Sequence, residues 1–137
     1  MDSVQIKAVN KWAIKVAVEH VNHTEINFVN TFAQALSIVR EVDRAEVGLA
    51  ADFYHFAMEN GPMEIMLEAS DLICAVQLAN PSGRCFPQPK TDIPGLGTFF
   101  QFLSKIGYSG GVSVEATVGD DLEADCRGAV ERLNACF

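Results

Sequence analysis

Four short apolar segments of this 137-residue chain each finish on a side chain that offers oxygen. IKVAVE ends at Glu19, VGLAAD at Asp52, LICAVQ at Gln77 and GVSVE at Glu115. Carboxylates held close together repel one another unless a proton or a cation neutralises them. Oxygen ligands favour a hard or borderline ion such as Mg²⁺ or Mn²⁺ over a zinc ion of the kind that thiolates bind. The four residues therefore predict a divalent metal site, provided that the fold brings them together.

Further polar residues follow these segments. His55 comes three residues after Asp52, in a Phe/Tyr-rich stretch that is predicted to form a turn. Two roles stay open for His55: it contacts a ligand, or it is a partly buried histidine with a structural role. Arg84 follows the third segment, where it holds a hydroxyl or carboxylate group or is a solvated loop arginine. His20 and His23 have no third partner at a spacing typical of zinc sites, which favours a solvent-facing or loop-capping role.

The elements that would position these side chains alternate along the chain. Strand-like segments, largely apolar on both faces, span Ala13 to Glu19, Val47 to Asp52, Leu72 to Leu78 and Gly111 to Glu115. Helical patterns run from Thr31 to Val42 and begin near Pro62, near Thr98 and at Asp120 or Asp121, while residues 1–12 resemble the end of another helix. Such alternation predicts an α/β fold with a parallel sheet, in which the carboxyl ends of the strands share one edge.

Composition and charge restrict the function. The chain has 10 Lys and Arg against 18 Asp and Glu, a formal charge of −8, and its basic residues are scattered. Nucleic acids and anionic membranes are therefore disfavoured as partners. The absence of an apolar leader or an apolar run of about 18 residues predicts a cytoplasmic protein. A complete (β/α)₈ barrel needs about 250 residues and does not fit.

Three stretches, VEHVNHTEINFVNT, VGLAADFYHFAMEN and AVQLANPSGR through FLSKIGYSGGVSVEA, resemble the C-terminal half of the xylose isomerase-like sugar isomerase and epimerase barrels. In style they are most similar to ketose 3-epimerases, hydroxypyruvate isomerases and inosose-processing enzymes. The resemblance is carried by a strand-ending Glu with another Glu six residues later, DxxH on the next strand, and IGYxGxVSVE on the last. It implies a single half-barrel domain, residues 1–137, made of four β/α units.

The resemblance also implies residue roles. Glu19, Asp52, Gln77 and Glu115 would bind a divalent metal, with Mn²⁺ favoured over Mg²⁺ or Co²⁺. Glu19 and Glu115 would also be the catalytic acid/base pair. Glu25, His55 and Arg84 would bind the oxygens of a small open-chain sugar or keto-sugar. Such a site moves a proton at a carbon next to a carbonyl group through an enediolate.

This sequence differs from the family pattern at two positions and in length. The third-strand ligand is normally a histidine in a stretch like HVHLAD, and here it is Gln77, whose amide donates less strongly to a metal. Arg84 lies one residue farther along than the family spacing. A four-stranded half would leave its strand edges exposed. We expect a homodimer to cover them, since twofold assemblies are the commonest, with a complementary N-terminal half chain or a rearranged open sheet as alternatives.

Three hypotheses about the function are consistent with these sequence features. The leading hypothesis is a metal-dependent sugar isomerase or epimerase. Its alternative, from another class, is a catalytically silent half-barrel that binds or assembles, which Gln77 and the short length favour. A metal-dependent endonuclease is third, because the acidic chain offers no basic face for phosphates. Ketose, keto-acid and inositol-derived substrates present the same two oxygens to a metal, so the sequence does not specify the substrate.

Overall fold

The computed structural model describes residues 14–136. Strands and helices follow one another as β1 (Val16–Glu19), α1 (Phe32–Val42), β2 (Val47–Asp52), α2 (Phe53–Glu59), a 3₁₀ helix (Met63–Ala69), β3 (Ile73–Leu78), α3 (Leu96–Lys105), β4 (Val112–Val114) and α4 (Leu122–Asn134). The strands lie in the sheet in chain order, and every neighbouring pair is parallel. The predicted α/β fold with four β/α units is confirmed.

The helix α1 shows how local sequence sets an element. The Thr31 side chain accepts a hydrogen bond from the backbone N–H of Gln34, and the Gln34 side chain accepts one from the backbone N–H of Thr31. This is the capping box that the spacing predicts. The helix packs on the sheet through its buried apolar residues, which are Phe32, Ala35, Leu36 and Val39. It ends where Asp43 adopts a left-handed conformation.

The two faces of the sheet differ. Residues that are paired in parallel register share a face, and Leu49, Val76 and Leu78 lie on the face that packs against the helices, where each is almost fully buried. The opposite face, which we call the inner face, carries small side chains and then polar ones at the carboxyl ends. The small residues of the inner face are Ala17, Gly48, Ala50, Ala75 and Ser113, and the Cys74 side chain lies beside Gly48 at the irregularity between β2 and β3. The large side chains of the hydrophobic core therefore lie on the helix side.

Several predicted boundaries differ from the observed ones. The helix predicted near Thr98 begins at Leu96 and ends before Gly107, whose φ of 68° suits a glycine. The pattern after Pro62 forms a 3₁₀ helix instead of an α-helix. Ala13 and the helix end predicted within residues 1–12 lie outside the described residues.

The helix α2 replaces the turn predicted around His55. Three of its residues are Phe or Tyr and a fourth is His, all of modest helix propensity, so its sequence gives a weak helical signal. The helix forms because the Asp52 side chain caps it and because Phe53 and Phe56 are buried in the core. Tertiary packing overrides propensity in this segment.

The helix α4 is the least buried of the helices. Asp121 caps it, and Ala129 is its buried residue. Leu122 and Val130 are 51% and 60% exposed. The helix therefore presents apolar side chains that residues 14–136 do not cover. Within the same residues, no helix has both the length and the apolar character that crossing a membrane requires.

Candidate metal site at the carboxyl edge of the sheet

The four strand-end residues lie on the inner face, at one edge of the sheet. Glu19 and Asp52 are the last residues of β1 and β2, and Asp52 is paired in register with Gln77. Glu115 directly follows β4, and its backbone N–H donates to the carbonyl of Leu78 at 3.0 Å. The fold thus brings the residues predicted as metal ligands to the same edge.

Glu19 and Asp52 form an acidic pair with little compensation. Asp52 is 1% exposed, and within residues 14–136 the buried Glu19 Oε1 has no hydrogen-bond partner. Burial raises the pKa of Glu19 to about 7, and the negative charge of Asp52 adds to this shift. Burial also raises the pKa of Asp52. A pair of carboxylates in this state needs a proton or a cation between them, so the donor set fits a divalent metal ion.

His55 faces the acidic pair from α2. Its Nε2 lies 3.7 Å from Glu19 Oε1 and 4.0 Å from Asp52 Oδ2. The other oxygen of Asp52 accepts a hydrogen bond from the backbone N–H of Tyr54 at 2.7 Å, so the cap of α2 also orients this carboxylate. One atom from each of the three side chains lies within 4.8 Å of the others, a spacing that could hold a metal ion.

Asn22 determines which atom of His55 carries the proton. The backbone N–H of Asn22 donates to His55 Nδ1 at 3.1 Å, and the Asn22 amide lies 2.9 Å from the same atom. Because a backbone N–H can only donate, Nδ1 must accept, and the proton of a neutral ring is on Nε2. Burial lowers the pKa of His55, which favours the neutral ring. His55 therefore presents an N–H donor to the site, whereas a metal ligand would need the lone pair on Nε2.

Asn22 is absent from the residues that the sequence predicts for the site. It is fully buried, its Oδ1 accepts from the backbone N–H of Thr24 at 3.1 Å, and its Nδ2 donates to Glu25 Oε1 at 2.8 Å. The segment Asn22-His23-Thr24 has the spacing of an Asx turn, which is the signal that could have identified it.

Replacing Asn22 by Asp is expected to change the protonation of His55. The new carboxylate would place an acceptor near Nδ1, so a proton on Nδ1 becomes favourable and the pKa of His55 rises. Nitrogen-15 NMR of the imidazole distinguishes the two neutral tautomers and the charged ring. We expect the Nε2–H form in the unaltered protein and a proton on Nδ1 in the variant.

The matched control is Thr24→Val, which removes a hydroxyl group that contacts Asn22 but leaves the Asn22 amide in place. His55 should keep its Nε2–H form in this variant. Observation of the Nδ1–H form in the unaltered protein would contradict the assignment.

Arg84 connects two carboxylates across the site. Its Nη1 donates to Glu25 Oε2 at 2.8 Å and its Nη2 to Glu115 Oε1 at 2.9 Å. The guanidinium also lies over the Tyr54 ring, 4.8 Å from its centroid. Hydrogen bonds from Asn22 and Arg84 outweigh desolvation and lower the pKa of Glu25. The backbone of Arg84 has φ of 47°, a left-handed conformation that costs a non-glycine residue about 1 kcal/mol or more and is often kept for a positioning role.

Gln77 donates to the oxygen of Glu115 that Arg84 leaves free. The distance from Gln77 Nε2 to Glu115 Oε2 is 2.6 Å. Both oxygens of Glu115 thus have protein donors, in contrast to the unpartnered oxygen of Glu19. Because Gln77 donates through its nitrogen, its Oε1 is the atom able to bind a cation.

The two histidines after β1 have different environments. His23 is exposed, and its backbone N–H and Nδ1 lie 2.6 and 2.5 Å from Glu59 Oε1, so it fastens its loop to the end of α2. His20 is 1% exposed and packs against Phe32 and Phe56, so the solvent-facing or loop-capping role expected for it is wrong. Alternation along β1 explains the result: Glu19 points to the inner face, and the next side chain must point to the helices.

A family model and several known proteins match this chain. A family model described as "Xylose isomerase-like TIM barrel" matches residues 6–136. The ketose 3-epimerase of Arthrobacter globiformis is 32% identical over 104 residues, which are 75% of this chain and 35% of that protein. The inosose isomerase of Halalkalibacterium halodurans is 34% identical over 115 residues, 76% of this chain and 40% of that protein.

Among solved structures, the 3-keto-D-glucoside 4-epimerase of E. coli superposes with a TM-score of 0.83 at 24% identity. The match covers 97% of this chain and 50% of that structure. The chain thus spans half or less of the length of these proteins, and the likeness to the solved structure concerns the fold alone.

Proposed function

This chain belongs to the xylose isomerase-like TIM-barrel family, and on that premise we propose that it supplies the metal-binding half of a sugar isomerase or epimerase site. The observation that carries the proposal is the pair formed by partly buried Glu19 and buried Asp52, in which a Glu19 oxygen without a hydrogen-bond partner among residues 14–136 faces His55. Buried like charges are costly, and they are retained where a cation or a transferred proton uses them. Relatives that bear the names of ketose and inosose enzymes support a small sugar or keto-sugar as the substrate class.

The proposed metal ligands are Glu19, Asp52, Gln77 through its Oε1, and Glu115. We favour Mn²⁺, because an oxygen-rich set with a neutral amide suits a hard to borderline ion. When bound, the metal would polarise adjacent carbonyl and hydroxyl oxygens and so acidify the C–H bond next to the carbonyl. To bind the ion, Glu115 would have to lose the hydrogen bond that it accepts from Gln77.

Proton transfer is assigned to Glu19 and Glu115. Glu19 presents a carboxylate oxygen without a hydrogen-bond partner among residues 14–136, which leaves that oxygen free to take a proton from a bound substrate. Glu115 lies across the site, at the end of β4, where Arg84 and Gln77 hold its carboxylate in place. One carboxylate would remove the proton from the substrate carbon and the other would return it through an enediolate.

Three further residues would bind the substrate oxygens. The Nε2–H of His55 is a donor directed at the site, and Arg84 supplies further donors. Glu25, with its lowered pKa, remains ionised and accepts hydrogen bonds from hydroxyl groups. Donors and an ionised acceptor in alternation suit the hydroxyl and carbonyl groups of an open-chain sugar.

A silent half-barrel that binds or assembles is the second candidate. The specific observation in its favour is that Gln77 and Arg84 already use both oxygens of Glu115. In that case the polar edge would be a self-satisfied network, and the acidic pair would stay protonated instead of binding a metal. The two candidates differ in their response to Mn²⁺.

Calorimetric titration with Mn²⁺ tests the proposal, and replacement of Gln77 by His sharpens it. We expect one Mn²⁺ per chain, and a gain in affinity of about tenfold for Gln77→His, equivalent to about 1.4 kcal/mol. The physical reason is that imidazole is a stronger donor than an amide oxygen and that Glu115 loses a competing hydrogen bond.

The control is Gln101→His on the exposed surface of α3, where a new histidine has no acidic pair nearby. This change should leave the Mn²⁺ titration unaltered. If neither the unaltered protein nor Gln77→His binds Mn²⁺, the isomerase proposal fails and the silent half-barrel is preferred.

A further inference from the structure

A cavity of about 170 Å³ lies on the helix side of the sheet, where the start of α1 meets the end of α2 and the 3₁₀ helix. Its buried wall is formed by His20, Phe32 and Phe56, beside half-buried Ile65. Exposed Ala33 also lines it, so the cavity opens to solvent. None of the described residues that line it belongs to the candidate metal site, which lies on the inner face.

His20 is a polar side chain in this wall that needs a partner. It is 1% exposed, and neither ring nitrogen has a hydrogen-bond partner within residues 14–136. Two polar neighbours along the wall are engaged elsewhere. The Thr31 hydroxyl accepts from the backbone N–H of Gln34 at 3.3 Å, and Glu59 Oε1 accepts from the backbone N–H of His23 at 2.6 Å. A buried polar group without a partner is costly, so a molecule that supplies one gains affinity.

The volume and the wall restrict the size and chemistry of a ligand. An engineered protein cavity of about 150 Å³ with apolar walls stays dry and binds benzene. The rings of Phe32 and Phe56 are stacked with their centroids 5.0 Å apart, and His20 packs edge-on against both. Such walls favour an aromatic ligand, through offset or edge-to-face contacts. The cavity therefore has the size and the lining for one six-membered aromatic ring.

We propose that this cavity binds a small aromatic molecule of the size of phenol, which carries one hydroxyl group. The aromatic ring contacts Phe32, Phe56 and Ile65, and the hydroxyl group pairs with a ring nitrogen of His20. A hydroxyl group both donates and accepts, so it suits either nitrogen of a neutral imidazole. Both nitrogens are covered in this structure. His20 therefore turns about its Cβ–Cγ bond when the ligand binds, a torsion with a broad energy profile in histidine.

Titrations with phenol and toluene test the proposal, because these molecules have nearly the same shape and differ by a hydroxyl group in place of a methyl group. Two-dimensional ¹H–¹⁵N NMR measures both dissociation constants and locates the binding. We expect saturable shifts at the backbone amides of residues 31–33 and 59–65, while those of residues 112–115 stay unmoved.

The ratio of the phenol dissociation constant to that of toluene separates the hydrogen bond from the shape of the cavity. His20→Leu should raise this ratio by about tenfold or more, because the hydroxyl group loses its partner. A change in cavity size affects both ligands and largely cancels in the ratio. The matched control is His23→Leu, the same change at an exposed residue outside the cavity wall, which should leave the ratio unaltered.

Ala33→Leu tests the location. The longer side chain would occupy part of the cavity from an exposed position on α1, and we expect both ligands to bind about tenfold more weakly or worse. Ala124→Leu, the same change on the exposed surface of α4, should alter neither titration. Far-UV circular dichroism of all four variants verifies that each is folded.

Three results would overturn the inference: no saturable binding of phenol, a ratio that His20→Leu leaves unchanged, or titrations that Ala33→Leu does not affect. These measurements need no metal and involve none of the proposed metal ligands. Failure of the inference therefore leaves the Mn²⁺ proposal untouched, and a chain that never binds Mn²⁺ can still confirm the cavity as a ligand site.

Discussion

Replacing Glu19 by Gln is expected to abolish Mn²⁺ binding while it raises the thermal stability of the metal-free protein. The carboxylate of Glu19 is partly buried beside Asp52, and its Oε1 has no hydrogen-bond partner within residues 14–136. A neutral amide removes the repulsion and can donate to Asp52. The loss of this charged ligand should weaken Mn²⁺ binding by about 100-fold or more, equivalent to about 2.8 kcal/mol.

The gain in stability depends on pH in a defined direction. The pKa of Glu19 is raised from 4.5 to about 7, so the folded metal-free protein binds the proton more tightly than the unfolded chain. The ionised carboxylate therefore destabilises the fold above pH 7, and this cost disappears as the pH falls towards 4.5. Glu19→Gln should raise the melting temperature at pH 8, by about 4 °C for each kcal/mol recovered, and have little effect near pH 4.5.

Scanning calorimetry in the presence of a chelator measures the melting temperatures, and Mn²⁺ titration measures the binding. The control is Glu64→Gln in the 3₁₀ helix, which makes the same change at an exposed position away from the site. It should alter neither quantity. Retention of Mn²⁺ binding by Glu19→Gln, or a lower melting temperature at pH 8, would contradict the assignment of Glu19.

The strand-end residues could be predicted from sequence because the signal is local. Glu19 and Asp52 each finish an apolar run, and parallel topology then places them on one edge without knowledge of any contact. The alternation of strands and helices gives that topology directly. The contacts that connect the site could not be predicted in this way. Arg84 reaches Glu25 over a separation of 59 residues, and its pairing depends on the path of the loop after β3.

Residues that serve two purposes were the hardest to predict. Asp52 is both a proposed ligand and the cap of α2, so the segment after it reads as a turn although it forms a helix. Asn22 closes a turn through its side-chain oxygen and controls His55 through its backbone N–H. Every residue except proline has a backbone N–H group, so the residue type does not show which of these groups donates to a side chain. The tautomer of His55 therefore became evident only from the three-dimensional arrangement.

His20 provides the second large effect, which is a loss of stability in acid. The residue is 1% exposed, and neither ring nitrogen has a hydrogen-bond partner within the described part of the chain. Its ring lies 4.6 Å from that of Phe56 and 5.6 Å from that of Phe32, centroid to centroid, at the wall of a cavity of about 170 Å³. Burial, with a smaller contribution from His55, lowers its pKa from 6.5 to about 4.

The direction of the effect follows from the lowered pKa. His20 is protonated below about pH 6.5 in the unfolded chain but only below about pH 4 in the folded protein. The free energy of unfolding therefore falls as the pH decreases across this interval. The shift corresponds to about 3 kcal/mol at 1.36 kcal/mol per pKa unit. His20→Phe removes the titrating group and lets an apolar ring fill the same place, which should add about 1 to 2 kcal/mol at pH 7.5 because buried unpaired polar atoms are lost.

Urea denaturation of both proteins at a series of pH values measures the difference, and this subtraction cancels the opposite contributions of Glu19 and Asp52. The stability advantage of His20→Phe should widen by about 3 kcal/mol between pH 7.5 and pH 4. His20→Leu should show the same widening despite its different shape, since the widening reflects the proton and not the packing. Mn²⁺ affinity should be unchanged in both variants, because His20 faces the helices while Glu19 faces the inner face. An advantage that stays constant with pH would show that His20 does not titrate within the folded protein as its burial requires.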